Sequence, residues 1–324
     1  MKALIVEKRD SNPTYHDAKV VDLPKPDSLE DEHALLEISA VSFNHRELWI
    51  RKGQYPGIVF GSVLGADGVG KIVDMKGKDP SKFKVGDRVV VNPSIGWIKD
   101  PRGPEEAFYI LGGGHASGVF TEYFVAPLAE IFKVPEHLTD AEAAALPLGG
   151  VTAFRAVFTK GQVARGQHVL ITGIGGGVAL LALAFCVAAG ANVYVTSSDD
   201  GKIQKAVRLG AKGGVNYGEE KWGLNLQKLT GGDLFDVVID GAGGDGVKTF
   251  TKILRLGGII VSYGMTGSRY EFEQMLEFVN EHKLKPVVSQ VWQGLESAEE
   301  AFEAMKKGSQ FGKLVLSLKT NSKL

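Results

Sequence analysis

The stretch His168-Val169-Leu170-Ile171-Thr172-Gly173-Ile174-Gly175-Gly176-Gly177-Val178-Ala179 carries an apolar, β-branched run straight into a glycine cluster. The cluster opens an Ala/Leu-rich segment from Leu180 to Ala189. That order predicts strand, tight turn, helix. Glycines suit the turn because a pyrophosphate must approach the backbone closely there, and because strand and helix pack together at that point. The N–H groups of Gly173, Ile174, Gly175, Gly176, Gly177 and Val178, at the start of the helix, are the candidate phosphate ligands. The spacing Gly173-x-x-Gly176-x-x-Ala179 departs from a strict GxGxxG, so an ordinary Gly-rich turn of an α/β protein is the competing reading.

The flanking sequence favours the nucleotide. Ala191 to Thr196 reads as a second buried strand, followed by the polar turn Ser197-Ser198-Asp199-Asp200-Gly201-Lys202 and a helical pattern from Ile203 to Leu209, stopped by Gly210. Gly214 to Tyr217, Phe235 to Asp240 and Gly258 to Tyr263 supply three more strands. Strands alternating with helices imply a parallel, doubly wound sheet of Rossmann type, whose nucleotide sits at the C-terminal strand ends. Where an NAD-binding domain places an acid for the ribose 2′-OH, this chain has Ser197 with Ser198 beside it and Lys202 shortly after. Hydroxyls and an ammonium suit a 2′-phosphate, which favours NADPH over NADH, while Asp199 and Asp200 weigh against it.

The region ahead of this unit is organised differently. Short β-rich segments recur at Ala3 to Glu7, His33 to Ser39, Val63 to Val73, Arg88 to Val91 and Phe120 to Val125, punctuated by glycine and proline. They predict a β-rich, barrel-like domain. Thr139-Asp140-Ala141-Glu142 reads as a helix cap. Ala298 to Lys307 predicts an amphipathic helix and Phe311 to Leu318 a final strand.

Bulk properties fit an enzyme acting on small molecules. The 324 residues suffice for two domains, and a formal net charge of −1 gives no basic bias toward nucleic acid or anionic membranes. No run approaches a membrane span, and Met1 to Val6 reads as a strand rather than a signal peptide. The single cysteine, Cys186, sits in the apolar helix after the glycine turn and is expected to be a buried core thiol. A cytoplasmic location fits this usage.

Taken in order, several segments resemble the medium-chain dehydrogenase/reductase superfamily, nearest its zinc-independent quinone oxidoreductase, ζ-crystallin-like and enoyl reductase branch. They are Val41-Ser42-Phe43-Asn44, Arg51-Lys52-Gly53-Gln54-Tyr55-Pro56, Gly65-Ala66-Asp67-Gly68-Val69-Gly70, Val85-Gly86-Asp87-Arg88-Val89, Leu146-Pro147-Leu148-Gly149-Gly150-Val151-Thr152-Ala153, the glycine turn, and Phe311-Gly312-Lys313-Leu314-Val315-Leu316. The resemblance implies an α/β protein: a GroES-like barrel domain over residues 1–126, completed by 268–324, and a Rossmann NADP-binding domain over 127–267. It also implies NADPH-dependent reduction of quinones, enals or enones, and a homodimer. The positions matching the catalytic zinc ligands of related alcohol dehydrogenases are Asn44, Ala66 or Asp67, and Leu148, a set poor in metal donors. With one cysteine the four-cysteine structural zinc lobe has no counterpart, so no metal is expected.

By the same resemblance, Tyr55 and Asn44 match the tyrosine and asparagine that face nicotinamide and substrate. A phenol can donate to developing enolate or hydroquinolate charge, and an amide can orient the substrate or the ribose. Thr152 matches a residue beside the carboxamide and Tyr217 one near the 2′-phosphate. Gly241 and Gly264 end strands where bulk would block the cofactor. His45 and Arg46 are unusual neighbours of Asn44, suited either to an anionic substrate or to plain solvation. Ile95 to His115, with Trp97, Phe108, Tyr109 and Gly112-Gly113-Gly114, is expected to line or cover the pocket.

One departure stands out. After Ser262-Tyr263-Gly264-Met265-Thr266 the family runs through a further strand-rich stretch, whereas this chain passes almost directly into Gly267-Ser268-Arg269 and a helix from Glu271 to Glu281. A more open substrate side, altered dimerisation and a compromised pocket are the consequences to weigh. The alternatives to a quinone or enone reductase are an alcohol dehydrogenase-like carbonyl reductase and a non-catalytic NADPH-binding or structural protein. A short-chain dehydrogenase would use Tyr217-x-x-x-Lys221, but that match falls too close to the glycine turn and leaves the β-rich region without a place.

Overall fold

The computed structural model describes residues 1–77, 81–264 and 266–319. It divides into two compact units, one built from Met1–Leu148 with Ser268–Leu324 and the other from Gly149–Gly267. Among the described residues no helix is long and apolar enough to cross a membrane.

The second unit holds an all-parallel sheet of five strands. Their spatial order is Gly213–Asn216, Asn192–Ser197, His168–Ile171, Phe235–Asp240, Leu254–Ser262. The chain winds outward in one direction from His168–Ile171 and then in the other, so the switch point of a doubly wound fold falls beside that strand. Val169, Leu170 and Ile171 are wholly buried, as a strand covered on both faces must be. Phe235, Phe250, Leu226 and Tyr194 pack around Leu170. The helix Gly177–Ala188 buries nearly its whole circumference, including Phe185 and Cys186. Burial pushes the Cys186 thiol far up, so it stays an inert core group.

Among the described residues the sheet stops at Leu254–Ser262, which is an edge strand with the Leu256 side chain fully exposed. The strand also begins four residues before the expected Gly258, with an irregularity opposite Phe235 and Val237.

The first unit is β-rich. Its main sheet runs Val288–Gln293, Lys313–Ser317, His33–Ser42, Asp67–Lys76, Arg88–Val91, Ile131–Lys133, and Tyr123–Pro127 pairs with the long central strand His33–Ser42. One core fills it, with Phe43 edge-on to both Phe120 and Phe302 at 4.9 and 5.0 Å between ring centroids. Such pairs add roughly 0.5–1.5 kcal/mol beyond their burial.

Three boundaries differ from the sequence expectation for identifiable reasons. The strand expected from Val63 starts at Asp67, because Gly65 has φ +89° and a Cβ there would lie 1.9 Å from the Phe120 ring. The last strand starts at Lys313, because Gly312 has φ +118° and is pressed against the Val287 carbonyl. The helix after the shortened stretch is Arg269–Glu281, two residues earlier than read. Ser268 and Glu271 form its capping box: Ser268 Oγ accepts the Glu271 N–H at 3.2 Å, and Glu271 Oε2 accepts the Ser268 N–H at 2.8 Å. The box expected at Thr139 and Glu142 is formed in the same way.

Candidate active site

Asn44 ends the β-structure and caps the helix His45–Arg51. Its side chain is not spent on the helix. Asn44 Nδ2 donates to Asp67 Oδ2 at 2.9 Å, and Asn44 Oδ1 accepts from Lys313 Nζ at 2.7 Å. Sheet register explains the meeting: Val315 pairs with Ser42 and Ser42 with Asp67, so the residue two before Val315 arrives beside the residue two after Ser42.

The Lys313 ammonium uses its three donors on Phe43 O at 2.8 Å, Asn44 Oδ1, and Asp67 Oδ2 at 2.9 Å. The other Asp67 oxygen accepts the Leu148 N–H at 2.7 Å. Lys313 and Asp67 are both buried. Asn44, Asp67 and Leu148 are among the positions that the resemblance matches to catalytic zinc ligands, and their donors do not fit a zinc ion. The lone carboxylate is already neutralised by a buried ammonium, Leu148 offers an alkyl group, and no thiolate or imidazole joins them. Among the described residues no cluster of three or more His, Cys, Asp or Glu could hold a metal ion.

On the other side of Asn44 the helix turns Arg46 and Glu47 inward. Glu47 is completely buried, and its Oε2 accepts the Asn44 N–H at 2.6 Å. Burial pushes its carboxyl up, while the Arg46 guanidinium and that backbone bond pull it down; the net direction is upward. Arg46 is buried too, contrary to the solvated alternative, and its Cζ lies 4.8 Å from the centre of the Tyr55 ring. Tyr55 is half-buried against the barrel core. The structure thus joins Asn44 and Tyr55 through Glu47 and Arg46. Trp49 and His45 sit on the outer face of the same helix, with rings 5.9 Å apart. Trp97 is buried, donates its indole N–H to Asp100 O at 2.7 Å and stands edge-on to Phe108. It serves as a structural anchor within Ile95 to His115.

In the second unit the glycine turn has the geometry that only glycine takes easily: φ is +64° at Gly173 and +121° at Gly175. Ile174 is buried, with its N–H donating to Thr196 O at 2.8 Å. Gly176 caps the helix Gly177–Ala188 without a side chain, and a Cβ there would meet open space. The first-turn N–H groups, which lack intrahelical acceptors, lie at Gly177, Val178 and Ala179. A Cβ on Gly175 would stand 2.9 Å from Lys202 Cδ and 3.5 Å from its Nζ, so the Lys202 side chain lies across the turn. Ser197 is buried and its Oγ accepts the Asp199 N–H at 3.1 Å, whereas Ser198 is exposed. Asp199 is occupied as the helix cap, accepting from Gly201 and Lys202 N–H. Asp200 accepts from Asn216 Nδ2 at 3.3 Å.

Beside the turn, a cavity of about 360 Å³ opens at the C-terminal strand ends, lined by Thr172, Thr196, Tyr217, Trp222, Asp240 and Ala242 among others. Thr172 Oγ1 donates to Asp240 Oδ1 at 2.5 Å, fixing its floor. Turn, Lys202 and cavity together fit the pyrophosphate and adenosine portion of a dinucleotide. Thr152 is buried in the helix Pro147–Phe154, which continues into a π-helical turn at Arg155–Lys160. At Gly241 the need for glycine is internal: a Cβ would fall 2.2 Å from the Tyr263 ring, while one at Gly264 would meet nothing within 4 Å.

The sequence offered Arg46 only for an anionic substrate or for solvation and Asp67 only as a position matched to a zinc ligand, and it did not single out Glu47 or Lys313 as partners of Asn44. Asp67 and Lys313 lay inside segments already singled out, but only strand register reveals that they meet.

Residues 30–136 match the sequence model of the alcohol dehydrogenase GroES-like domain, and residues 177–307 that of the zinc-binding dehydrogenases. The zinc-type alcohol dehydrogenase-like protein YogA of Leptosphaeria maculans is 39% identical, over 92% of this chain and 93% of its own. A solved NAD-dependent alcohol dehydrogenase is 31% identical, with a TM-score of 0.87 over 98% of this chain and 100% of that one. The quinone oxidoreductase from Coxiella burnetii is 26% identical, with a TM-score of 0.79 over 98% and 99%.

Proposed function

The chain belongs to the medium-chain dehydrogenase/reductase superfamily of oxidoreductases, and we propose that within it this protein is an NADPH-dependent, zinc-independent reductase of quinones or of the activated C=C bonds of enals and enones. The observation that carries the reading is the saturated cluster of Lys313 with Asp67 and Asn44, two positions that the resemblance matches to catalytic zinc ligands. Without a Lewis acid, an alcohol oxygen has no group to lower its pKa, whereas a quinone or enone is electrophilic enough to be reduced with a hydrogen-bond donor alone.

Reduced nicotinamide, when bound, supplies the hydride. The chain's own residues bind and orient. N–H groups from Gly175 to Val178 hold the pyrophosphate, since those of Gly173 and Ile174, also expected there, are turned onto Thr196 Oγ1 and Thr196 O, and Ser197, Ser198, Lys202 and Tyr217 surround the 2′-phosphate. Engagement of Asp199 and Asp200 with neighbouring donors tempers their repulsion of that phosphate. Thr152 orients the carboxamide, and Gly241 and Gly264 leave the strand ends clear of side chains. The Tyr55 phenol donates to the acceptor oxygen as negative charge develops there, and Asn44, immobilised by Asp67 and Lys313, presents a fixed amide dipole.

The deciding experiment follows NADPH oxidation by chelator-treated protein against an ortho-quinone and an α,β-unsaturated aldehyde, with NADH in parallel. Turnover that prefers NADPH and survives chelation is expected. The names of the relatives favour a second reading, NAD-linked alcohol oxidation. Loss of activity on chelation, with restoration by Zn²⁺ and turnover of an alcohol with NAD, would establish it instead.

A further inference from the structure

We infer that Arg46 is a positioning residue, which holds the Tyr55 phenol in a fixed place against the helix that Asn44 caps. The inference rests on the reading of Tyr55 as proton donor and adds the group on which its placement depends. Arg46 is 8% exposed. Its Nη1 donates to Leu111 O at 2.8 Å and pairs with Glu47 Oε1 at 3.0 Å, and its Nη2 donates to Gly112 O at 2.7 Å. The Tyr55 ring lies against the same guanidinium at 4.8 Å. Glu47 passes the constraint on, because its other oxygen accepts the Asn44 N–H.

The loop that Arg46 grips cannot move independently. A Cβ on Gly112 would lie 2.4 Å from Gly65 N, and one on Gly114 would lie 3.2 Å from Gly57 O, in the turn that follows Tyr55. One planar cation therefore ties together an aromatic ring, the loop beside it and the cap of the helix that carries it. Only arginine combines a rigid fork for two carbonyls with a flat face for a ring; lysine keeps the charge and loses both.

The test compares R46M and R46K with the parent protein and with Y55F in NADPH-dependent quinone reduction. Beside it runs ¹³C NMR of ring-labelled tyrosine, with the Tyr55 resonance identified by its loss in Y55F. R46M is expected to lower kcat roughly 10–100-fold, as a displacement of about an ångström does, with the KM for NADPH changed less than about twofold. R46K should resemble R46M, and the Tyr55 resonance should shift and broaden in both. Added to Y55F, R46M should cost less than about threefold more, since it acts through the same phenol. A full additional loss in the Y55F background, or an unmoved Tyr55 resonance, overturns the inference. Parent-like kcat in Y55F would instead refute the proton-donor reading, and the NMR arm would still decide whether Arg46 holds the ring.

Discussion

Lys313 Nζ stands 2.9 Å from Asp67 Oδ2, although the two residues are 246 positions apart in the chain and both are buried. The final strand, pairing antiparallel with His33–Ser42, brings the ammonium to the carboxylate. Every donor of the ammonium and both oxygens of the carboxylate are satisfied. That saturation is what lets a charge pair exist in an apolar interior, where desolvation otherwise outweighs attraction.

The pair should therefore be fragile to single substitution. Lys313→Met leaves Asp67 charged, buried and short of its cation, a loss of roughly 3–5 kcal/mol. Asp67→Asn acts in the same direction. In the double variant the penalties should not add, because no lone charge remains. Thermal and urea unfolding measure this; a Lys313→Met protein as stable as the parent would mean that the pair contributes nothing.

Tyr55→Phe removes the hydroxyl and keeps the ring. If the phenol supplies the proton or hydrogen bond to the reduced acceptor, kcat should fall roughly 100-fold or more. Binding of NADPH, followed by nucleotide fluorescence, should stay unchanged, since no cofactor contact is assigned to that hydroxyl. Weaker cofactor binding with unchanged kcat would place Tyr55 elsewhere in the site.

Lys202 lies across Gly175 and next to the cap that occupies Asp199. A lysine meeting a 2′-phosphate makes a charge-assisted bond, so Lys202→Ala should raise the Kd for NADPH roughly 10–100-fold. NADH lacks that phosphate, and its Kd should move far less. Equal losses for both nucleotides would assign Lys202 to the pyrophosphate instead.

The contrast between these sites explains what the sequence could reveal. Strand, turn and helix from His168 onward were legible because each is written in consecutive residues: a β-branched run, glycines at positive φ, and an apolar helix. The strand Phe235–Asp240 and the helix Ala298–Lys307 fall where their patterns place them for the same reason. The bridging place of Arg46 was not legible, and the sequence offered it only an anionic substrate or solvation. A lone arginine on a short helix looks solvated until Leu111 and Gly112 turn their carbonyls toward it, and that is a property of tertiary packing. The Tyr263 ring beside Gly241 was not legible either, because the direction of that side chain is set by packing.

Acid should weaken one local contact in a defined window. Burial pushes the Asp140 carboxyl up, but hydrogen bonds from Lys319 and Arg88 outweigh that, and the net direction is below its ordinary 3.8. A depressed folded-state pKa contributes stability that is whole above the unfolded value and disappears as pH falls through the folded one. The stability gap between the parent and Asp140→Asn should thus stay constant above about pH 5 and close below about pH 4. Urea unfolding at a series of pH values reads the gap; one that widens on acidification would reverse the sign.

Gly241 and Tyr263 make a steric pair. A methyl group on Gly241 would sit 2.2 Å from the Tyr263 ring, far inside van der Waals contact. Tyr263 N–H donates to Asp240 O at 3.2 Å, and burial, followed by the Asp240 charge, pushes the phenol up to about 12. Gly241→Ala should accordingly cost roughly 1–3 kcal/mol by overpacking. Tyr263→Ala in the same protein should recover most of that loss by vacating the space. A cofactor-blocking role for bulk at residue 241 predicts something else: NADPH affinity would fall in Gly241→Ala and stay low after Tyr263→Ala. Unfolding curves and NADPH titrations on the two single variants and the double variant separate the two causes, since only the steric pair predicts that stability and binding return together.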